Sequence, residues 1–420
     1  MEIYKVRKFV PKKERYEFDV PASKSLLNRA LPLAAFSRGE VFLSCGAFGG
    51  DTRAMLACLN ALGIRTEKRD GGVKIYGCGG NIPNKRAELN VSDAGTAARF
   101  LPAMLAFCGG DYLFRASAQM SARPMKILGV LERAGARVEY LECSRAFPFR
   151  LLSSGIDADR IEVDTGESTQ YLSGLLLAAS VGKKPVTLLP TGGRTNGSYV
   201  LMTEKLLSDF GVRLTKEGSG IMVFPGANSP ATYVAEGDLS GACYFFALAL
   251  LFGVKTLVRR VSTDTVQGDV KFLRLLQEKG VRFTDTPEGL LADGEGISSF
   301  TGFDADFRDF SDQTLTAAAL APFASTPSVL RNVAHIRRQE CDRVAAIVEN
   351  INSLGGRARS DENNVYIDPL HLSAGRIRTF GDHRVAMAFS LSALKTGGEI
   401  ENPACCKKTF ENYFDLIDRL

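Results

Sequence analysis

PASKSLLNRALPLAAF, residues 21–36, is a short Pro/Ser turn carrying Lys24 that opens straight into a run of small apolar residues. Five more stretches are built the same way. They are SDAGTAARFLPAMLAF from Ser92, ESTQYLSGLLLAA from Glu167, GDLSGACYFFALALL from Gly237, SDQTLTAAALAPFA from Ser311 and GDHRVAMAFSLSAL from Gly381. Their starts recur every 70–75 residues, and self-similarity at a fixed period marks a structural repeat. Each places a polar N-cap at a predicted helix start, where open backbone N–H groups and the helix dipole favour an anion. Six such ends facing one cleft predict a site for a multiply anionic substrate.

Between these helices lie strand-like stretches ended by Gly or Pro, among them DYLFRASA, RIEVDT, PVTLLP, GIMVFPG, KTLVRRV and NVYIDP. A second, amphipathic helix recurs with a common ending, as in DTRAMLACLNALGI, VLMTEKLLSDFGVR and VKFLRLLQEKGVRF. The glycine supplies a left-handed helix cap. Strands alternating with helices predict an α/β architecture. Six units divide most simply as three and three, and no Pro/Ser-rich linker marks the join. Repeat phase, with turns near Val20–Pro21 and Ala235–Gly237, predicts a discontinuous domain of residues 1–20 plus 237–420 and a second domain of 21–236.

At 420 residues the chain has ample material for two cores. Its net charge of +5 comes from 52 Lys+Arg against 47 Asp+Glu. That excess is mild and dispersed, so no nucleic-acid partner is expected, while an acidic small substrate suits it. Nine scattered cysteines without a CxxC pair read as reduced thiols without a zinc site. The start, MEIYKVRKFVPKKERYEF, lacks an apolar signal core, and the run Ala242–Val254 is too short for a membrane span. A cytoplasmic monomer with no membrane partner is expected.

Cations crowd the repeat turns: Lys24, Arg29, Arg99, Arg123, Arg343, Arg384 and Lys408. Guanidinium forks match carboxylate and phosphate geometry. Asp312 and Glu340 sit among them at predicted helix starts, where acid–base duty is plausible. Taken singly, Asp238 reads as an N-cap, His335 and His371 as surface residues and Tyr199 as a core aromatic. Recurrence at equivalent repeat phases is what lifts the cations above a solvated face. No GxxxxGK[ST], GxGxxG, GxSxG or HExxH motif is present, so nucleotide hydrolysis, dinucleotide redox, serine hydrolysis and zinc proteolysis lose support.

Together these strings resemble the 5-enolpyruvylshikimate-3-phosphate synthase family of enolpyruvyl transferases. PASKSLLNRALPLAA is similar to its PGxKSxSxRAL signature and SDAGTAARFL to its NAGTAxRxL signature. RPM at Arg123, STQYLSGLLLAA, RRQECDR, GDHRVAMAFSLSAL and KKTFENYF follow in the family's order. The resemblance implies two domains, each of three βαβαββ units forming an inside-out α/β barrel, with substrates bound in the interdomain cleft. It implies condensation of phosphoenolpyruvate with shikimate 3-phosphate, with release of phosphate and without metal or organic cofactor. Lys24, Gly95, Arg123, Gln170, Arg343, Arg384 and Lys408 would hold phosphoenolpyruvate. Ser25, Arg29, Ser168, Thr169, Gln170, Tyr199, Asp312 and Gln339 would hold shikimate 3-phosphate. Asp312 would be the base and Glu340 the proton donor, with Lys24 and His383 assisting.

Four positions depart from the family pattern. Gln339 stands where the family has Lys, His335 where it has Asn, Asn196 where it has Ser and Asp93 where it has Asn. Losing the Lys removes a charged hydrogen bond, roughly twice as strong as a neutral one. The departures leave open a paralogue that uses another acceptor hydroxyl. A transferase acting on UDP-N-acetylglucosamine fits less well, because its catalytic-loop Cys has no clear counterpart. A binding module like the RNA 3′-phosphate cyclase relatives should show a basic stripe with aromatics, whereas here the cations come one or two per repeat. Gly95 further suggests sensitivity to glyphosate, which Phe100, standing where Pro is common, weakens.

Overall fold

The computed structural model describes residues 2–45, 48–123, 125–166, 168–192 and 197–420. Each repeat begins a helix: α1 (Lys24–Phe36), α2 (Gly95–Cys108), α3 (Gln170–Ser180), α4 (Leu239–Phe252), α5 (Thr314–Leu320) and α6 (His383–Thr396). These helices are apolar nearly all round; in α2 and α4 every residue but the last is buried, as expected for helices at the centre of a domain. The strands alternate instead. Arg160–Asp164 buries only Ile161 and Val163, the pattern of a sheet with one face in solvent. Helices inside and sheets outside make an inside-out α/β barrel.

The repeat is plain in the second unit of unit 2. Strand Arg86–Asn90 leads through α2 to the parallel strand Gly110–Arg115, in register from Arg86↔Asp111 to Asn90↔Arg115. Helix Ile127–Arg133 and the antiparallel pair Arg137–Tyr140 and Phe149–Ser153 then complete the sheet. Five four-stranded sheets share this order, and a sixth has three strands. The glycines closing the amphipathic helices are left-handed, with φ +79° at Gly63 and +71° at Gly211.

The chain separates into two compact units, Met1–Pro21 with Gly237–Leu420 (unit 1) and Ala22–Glu236 (unit 2). Strand exchange explains the discontinuity. Arg15–Asp19, just before α1 in the chain, pairs in parallel with Lys255–Arg259, the strand after α4. Thr232–Val234, just before α4, pairs in parallel with Glu40–Ser44, the strand after α1. In unit 1 the three-stranded sheet is completed by Ile3–Val6, antiparallel to Gly398–Glu401. Each unit has its own apolar core around its helices.

Two local expectations need correction. Side-chain N-caps were expected at every repeat helix, yet Ser23, Thr169, Asp238 and Gln313 make no side-chain cap, and α2 is preceded by Ala94. Only Asp382 caps its helix, accepting from the Arg384 N–H. At α2 the polar residue Asp93 stands one position before Ala94 and accepts from the Ser117 hydroxyl instead. Asp312 and Glu340 are likewise not at α-helix starts. Asp312 lies in a 3₁₀ turn, Arg308–Gln313, broken at Phe310, and Glu340 precedes helix Arg343–Ser353 in an irregular turn. The stretch read as one helix to Ala324 also stops at Leu320, and Pro322 falls in a 3₁₀ turn.

Candidate functional site

In unit 1 the sequence-predicted residues converge on Arg343. It is the first residue of helix Arg343–Ser353, which Asp342 caps by accepting from the Ala345 N–H at 2.9 Å. A cation in a first helical turn opposes the dipole, so its position calls for anionic partners, and three are present. Arg343 Nε donates to Asp382 Oδ2 at 2.7 Å, Nη1 to Asp312 Oδ1 at 2.8 Å and Nη2 to Glu340 Oε2 at 3.0 Å. Gln339 Oε1 also accepts from Nη1. The side chain is 1% exposed. Burial works against its charge, but Asp382, Glu340 and Asp312 outweigh that and hold it firmly protonated.

Arg384 repeats the motif from the first turn of α6. Its Nη2 lies 2.9 Å from Asp312 Oδ2 and its Nη1 3.5 Å from the Tyr244 hydroxyl. Again burial opposes the charge and Asp312 prevails. Lys408 Nζ sits 3.1 Å from Glu340 Oε1. His383 is buried, its Nδ1 3.6 Å from Asp382 Oδ1. Three cations thus face the three carboxylates Asp312, Glu340 and Asp382. Both Asp312 oxygens are engaged by guanidinium groups.

Unit 2 carries a different arrangement. Arg29, on α1 and 1% exposed, is held by neutral oxygens. Its Nε donates to Thr203 Oγ1 at 2.8 Å and its Nη1 to the Ser25 carbonyl at 2.7 Å, while Nη2 reaches Ser173 and the Tyr199 carbonyl. The guanidinium lies between the rings of Phe100 and Tyr199, 5.3 and 5.6 Å from their centroids. Burial brings its pKa down to about 10. A buried cation held by neutral oxygens and aromatic faces is a strong receptor for an anion. Tyr199 itself is 36% exposed.

Gly95 opens α2 between two cations. A Cβ there would lie 3.0 Å from Arg99 Nη1 and 3.2 Å from Arg123 Nη1, so glycine lets both guanidinium groups close on that helix end. Lys24 is 3.4 Å from Asp51, in the first turn of helix Gly50–Ala61. Ser168 Oγ accepts from the Gln170 N–H at 3.2 Å, fixing the turn that carries Thr169 into α3. Asn28 donates to Thr96 at 2.8 Å and ties α1 to α2 beneath these groups.

Among the departures, Gln339 joins the Arg343 cluster and Asp93 accepts from the Ser117 hydroxyl. His335 lies in the 3₁₀ turn Ala334–Arg338, and Asn196 falls outside the described residues. Sequence reasoning missed Asp382, Asp51 and Thr203. Asp382 was visible within GDHR but read only as part of a motif. Asp51 and Thr203 lie on the second helices of their units, where no repeat signal points. All nine cysteines lie outside any disulfide. Among the described residues no helix is long and apolar enough to cross a membrane.

The family model described as EPSP synthase (3-phosphoshikimate 1-carboxyvinyltransferase) matches residues 11–417. A protein of that name from Nostoc punctiforme is 35% identical over 402 residues, 94% of each chain. One from Bordetella petrii is 36% identical over 418 residues, covering 96% of this chain and 94% of its own. The EPSP synthase structure from Acinetobacter baumannii shares the fold with TM-score 0.81 at 22% identity, over 100% of this chain and 98% of the other. The enolpyruvyl transferase NikO from Streptomyces tendae shares it with TM-score 0.76 at 16% identity, over 100% and 97%.

Proposed function

This chain belongs to the EPSP synthase family of transferases acting on small molecules, and we propose from that premise that it transfers the enolpyruvyl group of phosphoenolpyruvate to the 5-hydroxyl of shikimate 3-phosphate, releasing phosphate. The observation that carries the reading is the Asp312 carboxylate held by Arg343 and Arg384. Phosphoenolpyruvate brings a carboxylate and a phosphate, and guanidinium groups bind both bidentately. When the donor takes Arg343, Arg384 and Lys408, Asp312 is freed to accept the proton of the acceptor hydroxyl as its oxygen attacks C2 of the donor. Glu340, relieved of Lys408 and protonated in the ternary complex, gives its proton to the methylene carbon, which becomes a methyl group. Glu340 then takes a proton back from that methyl group as the double bond re-forms and phosphate leaves, a departure that fixed positive charge favours, and Lys24 and His383 assist these proton transfers.

Unit 2 carries the other proposed binding residues. Ser25, Arg29, Ser168, Thr169, Gln170 and Tyr199 are proposed to hold shikimate 3-phosphate, with Asp312 and Gln339 contributing from unit 1. Lys24, Gly95, Arg123 and Gln170 are proposed to hold phosphoenolpyruvate. The protein is taken to work as a cytoplasmic monomer, which gel filtration and cell fractionation test.

The likeness to NikO and the departures at Gln339 and His335 favour one alternative, an enolpyruvyl transferase acting on another acceptor. Phosphate release from phosphoenolpyruvate, with and without shikimate 3-phosphate, separates the two. Release that requires shikimate 3-phosphate supports the synthase. A folded protein that binds phosphoenolpyruvate and releases nothing points to the other acceptor. Lys24→Ala and Asp312→Ala are expected to abolish turnover while the circular dichroism spectrum stays native.

A further inference from the structure

Asp269 belongs to none of the motifs behind the transferase reading. It ends the segment Gln267–Gly268–Asp269 ahead of helix Val270–Glu278, and it is 7% exposed. Both its oxygens are used. Oδ2 accepts from the Ser240 hydroxyl of α4 at 2.7 Å, and Oδ1 accepts from Gln313 Nε2 at 2.9 Å. Gln313 is fully buried, and its Oε1 accepts from the Thr316 hydroxyl at 2.8 Å. Gln267 anchors the same segment, accepting from the Leu239 N–H at 3.0 Å and donating to the Gly237 carbonyl at 2.9 Å. The chain from Gly237 to Ser240 is thereby fastened to the peptide that carries Asp312.

Two neutral hydrogen bonds are a poor return for burying a carboxylate. A well-packed amide or apolar group would stabilise the fold better at this place. The neighbouring charges are Asp312, which repels Asp269, and Arg384, which attracts it. Both belong to the proposed reaction, so Asp269 lies where the field at Asp312 and the direction of Asp312 are set. We propose that Asp269 is a positioning residue: through Gln313 it fixes the place at which Asp312 meets the acceptor hydroxyl. This rests on Asp312 being the base of the proposed transfer. A displacement of 1 Å at such a group costs on the order of a hundredfold in rate.

The test is steady-state phosphate release by the full-length protein and its variants. Asp269→Ala is expected to lower kcat about 10- to 100-fold with both KM values nearly unchanged, and Gln313→Ala to do the same. The double variant should be no slower than the slower single one, because both break one linkage. Asp269→Asn keeps an acceptor oxygen for Gln313 and should recover most of the loss. Multiplicative losses in the double variant, or a wild-type kcat in Asp269→Ala, overturn the positioning role. If Asp269→Ala does not fold, Gln313→Ala decides alone: reduced kcat with KM kept supports the role, and wild-type kcat overturns it. A wild-type protein that releases no phosphate with shikimate 3-phosphate overturns the transferase reading and this inference together. Failure of the variants alone leaves the transferase reading standing.

Discussion

Exchanging the Asp269 carboxylate for its isosteric amide should make this protein more stable at neutral pH, by an amount set by where the carboxyl titrates. Burial first, and then the nearby Asp312 charge, raise the Asp269 pKa from 3.8 to about 6, against the pull of Arg384 and the hydrogen bonds from Ser240 and Gln313. A shift of about 2 units at 1.4 kcal/mol each is worth about 3 kcal/mol. The folded state holds its proton more tightly than the unfolded one, so its stability is greatest below pH 4. It falls as pH rises from 4 through 6 and is flat above. Asp269→Asn mimics the protonated form and escapes that fall. Wild type and variant should therefore melt together near pH 4, and at pH 7.5 the variant should melt about 6–12 °C higher for a unit of some 200 residues. Scanning calorimetry of both proteins from pH 4 to pH 8 measures this. A wild-type advantage at pH 7.5, or a gap that does not grow between pH 4 and 6, would refute the buried-carboxylate argument.

Arg343→Met should cost about 3–5 kcal/mol, because Asp382, Asp312 and Glu340 would be left without their shared cation; Arg343→Lys should restore only part, since one ammonium cannot span three carboxylates, and urea denaturation compares them. Gly95→Ala should raise the KM for phosphoenolpyruvate about tenfold with melting temperature nearly unchanged, since the new methyl displaces only the mobile ends of Arg99 and Arg123; unchanged KM would remove Gly95 from the donor site. Gln339→Lys should tighten shikimate 3-phosphate binding by calorimetry if Gln339 is a local variation on the family's cation, and weaker or equal binding would refute that account.

Much of the architecture is a local property of the chain. The small apolar runs that form α2 and α4 are hydrophobic on every side, and such a helix has nowhere to go but a domain centre. The glycines at 63 and 211 end their helices because only the left-handed cap lets the next strand leave at once. The cations were legible because they recur at one phase of the repeat. Which carboxylates answer them was not, since Asp382 and Asp312 lie 39 and 31 residues from Arg343, and no local pattern says which acid meets which base.

What the sequence by itself determined was the period, the helix and strand types and the inventory of charged groups, because each depends on neighbours within a few turns. Tertiary structure alone decided two things. One is the exchange of strands Arg15–Asp19 and Thr232–Val234 between the sheets of their neighbouring repeats, a choice of hydrogen-bonding partner made across more than a hundred residues. The other is the pairing of Arg343 with three carboxylates in unit 1 and of Arg29 with neutral oxygens in unit 2. Charge is written residue by residue, but the work of burying it depends on what folding brings alongside.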